Sequence, residues 1–243
     1  MIELYYAGTP NGMKIAIMLE EVGLPYNINI IDIFEGDQLT PGFRKINPNN
    51  KIPAIIDTEP TDGGSALPIF ESGAILQYLA EKTGMLLPTS PRERSIAIQW
   101  LTWQMSSLGP MTGQASHFVR YAPPGNEYGI SRYTKELQRL LRVLEARLTE
   151  VSYVGGDEYT IADIAIWPGR TTNLIEGCKL QDFPVTRRWF ERLKERPAIQ
   201  RVLGAEQLRA PAKYMGQKQV LSETEWSNMF GDAQHTAGTV KVV

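Results

Sequence analysis

The chain has 243 residues, of which 42% are hydrophobic and 21% charged, and its net charge is −2. That length holds two small domains or one large one, and the composition is that of a soluble globular protein. The charge balance leaves no electrostatic footprint for nucleic acid, and the single cysteine, Cys178, excludes an intrachain disulfide and a Cys-X-X-Cys redox pair.

No apolar run approaches a membrane span, and the N-terminus carries neither a basic region nor the apolar stretch of a signal peptide. With one cysteine, these features predict a cytoplasmic protein without a membrane partner. The arginine-rich stretch from Arg187 to Arg201 alternates with Trp189, Phe190, Leu193 and Ile199, and reads as a solvated helix face.

In chain order, Ile2, Leu4 and Tyr6 alternate with Glu3 and Tyr5, as in a half-buried strand. Gly8-Thr9-Pro10-Asn11-Gly12 then opens a helix with Ile15, Leu19 and Val22 on one face, stopped by Gly23 and Pro25. Tyr26, Ile28 and Ile30 give a second strand. A short helix over 41–46 precedes the turn-rich Asn47-Pro48-Asn49-Asn50. Residues 53–57 and 67–70 flank Asp62-Gly63-Gly64 and read as a hairpin with a long connection. A helix over 72–82 follows, with Ile75, Leu76 and Leu79 on one face and Gly84 beyond it. The order strand, helix, strand, helix, strand, strand, helix is a thioredoxin-like layout, a four-stranded mixed sheet with helices on both faces.

Leu87-Pro88-Thr89-Ser90-Pro91 is a short proline-bearing linker. Strand signals end there. Ile96, Trp100 and Trp103 mark one helix, and Leu137, Leu140, Leu141, Leu144 and Leu148 mark a second, amphipathic one. Thr160 and Asp163 form a capping box with Tyr159 and Ile164 as its hydrophobic staple; Ser222 and Glu225 repeat the device with Leu221 and Trp226. The expected division is a thioredoxin-like domain over 1–87, an all-helical domain over 92–210, and a tail over 211–243 with one short docked helix, loose from His235 onward.

This chain resembles the glutathione transferase superfamily, and within it the bacterial nu class of glutathione-dependent disulfide-bond oxidoreductases. The resemblance is carried by Thr9-Pro10-Asn11-Gly12, Asn49-Asn50-Lys51-Ile52-Pro53-Ala54 and Phe70-Glu71-Ser72-Gly73-Ala74-Ile75-Leu76, and extended by Asp62-Gly63-Gly64 and 78–84. It covers the N-terminal domain strongly and the helical domain more loosely, through Arg132 and the Thr160–Asp163 box. It implies a glutathione transferase fold, glutathione as cosubstrate and a two-fold homodimer.

Glutathione offers a thiol, a γ-glutamyl end with an amine and a carboxylate, and a glycyl carboxylate. Ser72, at a helix start, suits the γ-glutamyl carboxylate through free N–H groups, the helix dipole and its own hydroxyl. Glu71 suits the ligand's ammonium. Taken alone, capping and dipole compensation describe these two residues equally well; beside Ile52-Pro53 the ligand reading is the stronger. Under the resemblance Ile52–Pro53 is cis, so that the main chain of Ile52 meets the peptide as an added strand does. Lys51 then faces the glycyl carboxylate, although a solvated loop lysine is an equally simple reading.

To react, the thiol must ionise. Lowering a pKa near 8.5 by about two units takes about 2.7 kcal/mol of selective thiolate stabilisation. One hydroxyl and one amide donor at a helix start suffice, at roughly 1.5–3 kcal/mol each. Thr9 and Asn11 stand there; the plainer alternatives are a loop hydroxyl bonding its own backbone for Thr9 and a helix cap for Asn11. Tyr5 and Tyr6 lie inside the strand. The class resemblance adds Gln38 for the glycyl end and Arg132 toward a second glutathione; both also suit plain solvation.

Cys178 reads as a core thiol rather than a nucleophile. His117 has no partner at ligand spacing, so no metal is expected. The leading reading is an enzyme that reduces small disulfides, and peroxides as a further acceptor, with glutathione's sulfur. The alternatives are a conjugating transferase acting on electrophiles, with Trp103, Phe118 and Tyr121 as candidate acceptor-site aromatics, and a non-catalytic glutathione-binding regulator.

Overall fold

A computed structural model describes residues 1–170, 175–210 and 220–237. Its sheet has four strands, β1 (Ile2–Tyr6), β2 (Tyr26–Ile30), β3 (Ala54–Asp57) and β4 (Leu67–Phe70), in the order β2-β1-β3-β4. The β1–β2 pair is parallel, with Ile2 opposite Tyr26. The other pairs are antiparallel, Leu4 facing Ile55 and Ala54 facing Phe70. The parallel pair needs a crossover, and α1 (Pro10–Val22) supplies it.

Local chemistry fixes both ends of α1. The Thr9 hydroxyl accepts from the Gly12 amide at 3.3 Å, Pro10 takes the first helical position, and Gly23 closes the helix at φ 67°. Gly12 is required by close approach, because a Cβ there would lie 2.4 Å from the Ala7 carbonyl oxygen. The short α2 (Pro41–Arg44) ends two residues before the expected stop, and α3 (Ser72–Thr83) runs one residue further, to a left-handed Gly84.

From Pro91 the described residues form helices joined by turns and one isolated bridge, Tyr153 to Gly156: α4 (Pro91–Trp103), a π-type segment over Gln104–Leu108, α5 (Gly109–Arg120), α6 (Glu127–Glu150), α7 (Ile161–Ile166), α8 (Pro184–Lys194) and α9 (Pro197–Gly204). The Thr160 box is formed as the sequence predicts, capping α7. Buried side chains of α1 and the sheet join those of α4 to α9 in one core, so the two units share apolar packing instead of being strung on a linker.

Two expectations change. The arginine-rich stretch is more than a solvated face: Arg196 makes a bidentate pair with Glu21 (2.6 and 2.9 Å) and Arg201 meets Glu20 at 2.6 Å, tying α8–α9 to α1. The tail holds two helices where one was expected, α10 (Glu223–Phe230) and α11 (Asp232–Ala237). The second continues past His235, where the chain was expected to loosen; residues 211–219 and 238–243 lie outside the described ones. The Ser222–Glu225 capping box is formed.

Candidate functional site

Where β1 hands over to α1, a cavity of about 800 Å³ opens between the thioredoxin-like unit and the helices. Thr9, Pro10, Asn11, Met13 and Lys14 line one side. Leu108, Thr112, Ser116, Arg120 and Tyr121 line another, and Leu208 and Met229 close it from the C-terminal side.

Thr9 is the cap of α1, and capping uses an oxygen lone pair while leaving the hydroxyl proton available as a donor. Cap and donor are therefore compatible in one side chain. Asn11, exposed on the first turn, has no hydrogen-bond partner among the described residues, so its amide is not consumed by capping. Tyr6 is excluded as a donor toward the cavity: its hydroxyl is buried and donates to the Leu208 carbonyl at 2.7 Å, and burial pushes its phenol up to about 12. Tyr5 packs edge-on against Phe43.

The start of α3 lies beside this end of α1. Glu71 occupies the cap position at φ 67° with no side-chain capping bond, a conformation unfavourable for a non-glycine residue, and such strain concentrates at functional sites. Ser72, in the first helical turn, is buried. Its oxygen accepts from the Lys14 Nζ at 3.3 Å, and its hydroxyl faces the Met105 sulfur at 3.7 Å. Lys14 also donates to Gln104 Oε1 at 2.9 Å. Burial pulls the Lys14 amine down to about 7, and the Glu71 charge opposes the fall.

The Ile52–Pro53 bond is cis. Pro53 precedes Ala54, whose partner across the ladder is Phe70, so the cis bond lies opposite the Glu71–Ser72 turn. Lys51 is exposed, and its carbonyl is held by the Asn47 amide at 2.6 Å. Gln38 is buried, its amide donating to the carbonyls of Ile33 and Asn228, both at 3.2 Å. Arg132 lies on the outer face of α6, 3.6 Å from Glu136.

Thr9 and Asn11 thus line the cavity; Ser72 meets its wall only through the Lys14 hydrogen bond, and Glu71 and the cis Ile52–Pro53 bond lie next to Ser72 without lining it. Gln38 is covered by the tail helix, and Arg132 does not line the cavity. Of the three acceptor-site aromatics, Tyr121 lines it, with the Arg120 guanidinium 5.2 Å from its ring centre. Phe118 stacks on Tyr133 and Trp103 packs on Trp100, so both belong to the helical packing. Lys14 had a signal in the sequence that periodicity on one face passes over: it shares a stripe with Ile17 and Met18, three and four residues on, in a helix buried on nearly every side. Asn228 and Met229 had none, since only the fold brings the tail to the cleft. No group able to hold a metal ion occurs among the described residues, and no described helix is long and apolar enough to cross a membrane.

Comparison with known proteins agrees with this architecture. Residues 9–82 match the glutathione S-transferase N-terminal domain model, and residues 117–197 match the C-terminal domain model. The chain is 49% identical over 208 residues to the disulfide-bond oxidoreductase YfcG of Escherichia coli K12, covering 86% of this chain and 97% of the relative. Over 213 residues it is 41% identical to YghU of the same strain, also named a disulfide-bond oxidoreductase, covering 82% and 73%. Among solved structures, a Burkholderia graminis glutathione transferase with two glutathione molecules bound per subunit superposes with a TM-score of 0.78 at 47% identity, covering 84% of this chain and 88% of the other. A Pseudomonas putida glutathione transferase with one glutathione disulfide per subunit gives 0.77 at 43% identity, covering 82% and 89%. The chain belongs to the glutathione S-transferase family.

Proposed function

We propose that this protein is a glutathione-dependent disulfide-bond oxidoreductase. The observation that carries the reading is Thr9 and Asn11 together at the opening of α1, on the wall of the cavity, with both donors free of other duties. Glutathione lies across the cleft with its γ-glutamyl carboxylate at Ser72 and the start of α3, its ammonium at Glu71, and its backbone along Ile52 beside the cis Pro53. Lys51 attracts the glycyl carboxylate. Gln38 serves the same end once its amide exchanges the tail's carbonyl for the ligand.

The thiol loses its proton to solvent, and Thr9 and Asn11 donate to the thiolate. That sulfur attacks one sulfur of a disulfide, forming a mixed disulfide and expelling the other as a thiolate, which takes up a proton. A second glutathione thiolate attacks the mixed disulfide, forming glutathione disulfide and releasing the second acceptor thiol. Two glutathiones lose two electrons and the acceptor disulfide gains them. Arg132, off the cavity wall on the outer face of α6, is linked to the second tripeptide by the family resemblance alone. Relatives carrying two glutathiones or one glutathione disulfide per subunit support this sequence of events, and the names of YfcG and YghU support disulfides as acceptors ahead of peroxides or conjugation.

A two-fold homodimer in the cytoplasm completes the proposal. Leu67 and Phe70, exposed at 39% and 37% on the edge strand β4, offer apolar surface for such a contact. The test is turnover of 2-hydroxyethyl disulfide with glutathione. Removing one charge-assisted donor costs about 1.5–3 kcal/mol, so Thr9→Ala and Asn11→Ala are each expected to lose roughly ten- to a hundredfold in rate. Wild-type rates in both variants would refute the activation.

A further inference from the structure

Lys14 is 1% exposed, and its amine is met by groups from two other segments of the fold. Gln104 Oε1 lies at 2.9 Å, Ser72 Oγ at 3.3 Å and Met105 Sδ at 3.7 Å. All three are neutral, whereas a buried ammonium demands a matching anion. Among the charged groups packed around it, Glu71 at the head of α3 acts on it. From α7, Asp163 is engaged by Val154, Thr160 and Trp189. From α9, Arg201 is paired with Glu20, and residues 167–169 bring no ionisable side chain. The compensation of this cation is incomplete until something anionic arrives.

The hydrogen bonds indicate where it arrives. Because Lys14 donates to Ser72 Oγ, the Ser72 proton is committed elsewhere, and it faces the Met105 thioether sulfur, a weak acceptor. A carboxylate displaces such an acceptor readily.

We propose that Lys14 is a positioning residue for the carboxylate of the bound peptide: it holds Ser72 as a donor, and its charge beneath the start of α3 makes anion binding depend on pH. This rests on the reading that Ser72 receives the γ-glutamyl carboxylate. With burial pulling the amine down to about 7, a bound carboxylate favours its protonated form. Binding therefore takes up a proton near neutrality. The dissociation constant rises by about tenfold between about pH 6 and about pH 8, as the charged fraction falls by that factor.

The experiment is calorimetric titration of the full-length protein with S-methylglutathione, whose capped thiol cannot titrate. It is run at both pH values in two buffers of different ionisation enthalpy, for wild type and Lys14→Met. The ligand's own amine titrates alike in both proteins, so the difference in slope reports Lys14. Proton uptake by wild type, with about a tenfold steeper loss of affinity than a folded Lys14→Met, is the expected result. Equal slopes in the two proteins, or no buffer-dependent proton uptake by wild type, would overturn it; the second criterion stands even where the variant fails to fold. A wild type that does not bind the peptide at either pH removes the functional reading beneath the inference, whereas binding without proton uptake removes the inference alone.

Discussion

Tyr6 illustrates how a single hydroxyl's hydrogen bond narrows the chemistry of the whole cleft. Its phenol is buried and its hydroxyl is committed to the Leu208 carbonyl, so the proton is not available to a ligand's sulfur. Tyr6→Phe is expected to lower stability by about 1–3 kcal/mol, because a buried acceptor is left unpaired, while disulfide reduction stays near wild type. Chemical denaturation and a rate assay measure the two effects separately. Local residue types put Thr9, Asn11, Glu71 and Ser72 at two helix openings, and the structure has them there; the role proposed for each came from the family resemblance. Lys14 was not legible from one-face periodicity, because its role depends on Gln104, ninety residues away. Gln38 reads as an exposed loop amide in sequence, and only the arrival of Asn228 makes it a buried one.

At the scale of elements, two carboxylates hold separate parts of the frame. Asp163 accepts from the amides of Val154 and Thr160, at 2.9 and 3.1 Å, and from the Trp189 indole at 3.0 Å, joining α7 to α8 and the preceding turn. Asp163→Ala orphans these donors and is expected to cost upwards of about 3 kcal/mol, measured by denaturation. A loss below about 1 kcal/mol would mean the box is ornamental. Asp57 fastens β3 to α3. Burial alone would push its carboxyl up, but hydrogen bonds from Lys82, Tyr78 and the Glu59 amide outweigh that and leave it below the usual carboxylate range. A depressed acid stabilises the fold above its unfolded value and loses that contribution as pH falls through its folded value. Lys82→Met raises the folded value, so its acid unfolding should begin at higher pH than that of wild type, as followed by circular dichroism. Coincident acid transitions would contradict this. Both capping boxes and the succession of strands and helices could be read from sequence, since periodicity and capping are local; the order of the strands in the sheet could not. The π-type segment Gln104–Leu108 could not, because no local pattern marks it and its Gln104 finds its partner, Lys14, ninety residues upstream.

Over the whole molecule, the tail is the part least anticipated. Through Asn228, α10 donates to the Phe34 carbonyl at 2.7 Å, while Gln38 donates to its main chain. On its other side, Phe230 meets His117 at 4.6 Å and Tyr121 at 5.2 Å between ring centres. The helix therefore bridges the loop after β2 and α5, across one side of the cleft. Asn228→Ala should speed amide hydrogen exchange at 34–39 while leaving exchange in the β-sheet unchanged. Unchanged exchange at 34–39 would show that the aromatic contacts alone hold the tail. No local pattern announces such a bridge, for both anchors lie far upstream.

The central claim is that glutathione supplies the reactive sulfur and that Thr9 and Asn11 hold its thiolate. The direct measurement is the titration of bound glutathione by its thiolate absorbance in the ultraviolet. In wild type the bound thiol should ionise about two units below the free value near 8.5, and in Thr9→Val and Asn11→Ala it should return most of the way. A bound thiol that titrates like free glutathione in the wild-type protein would contradict the account.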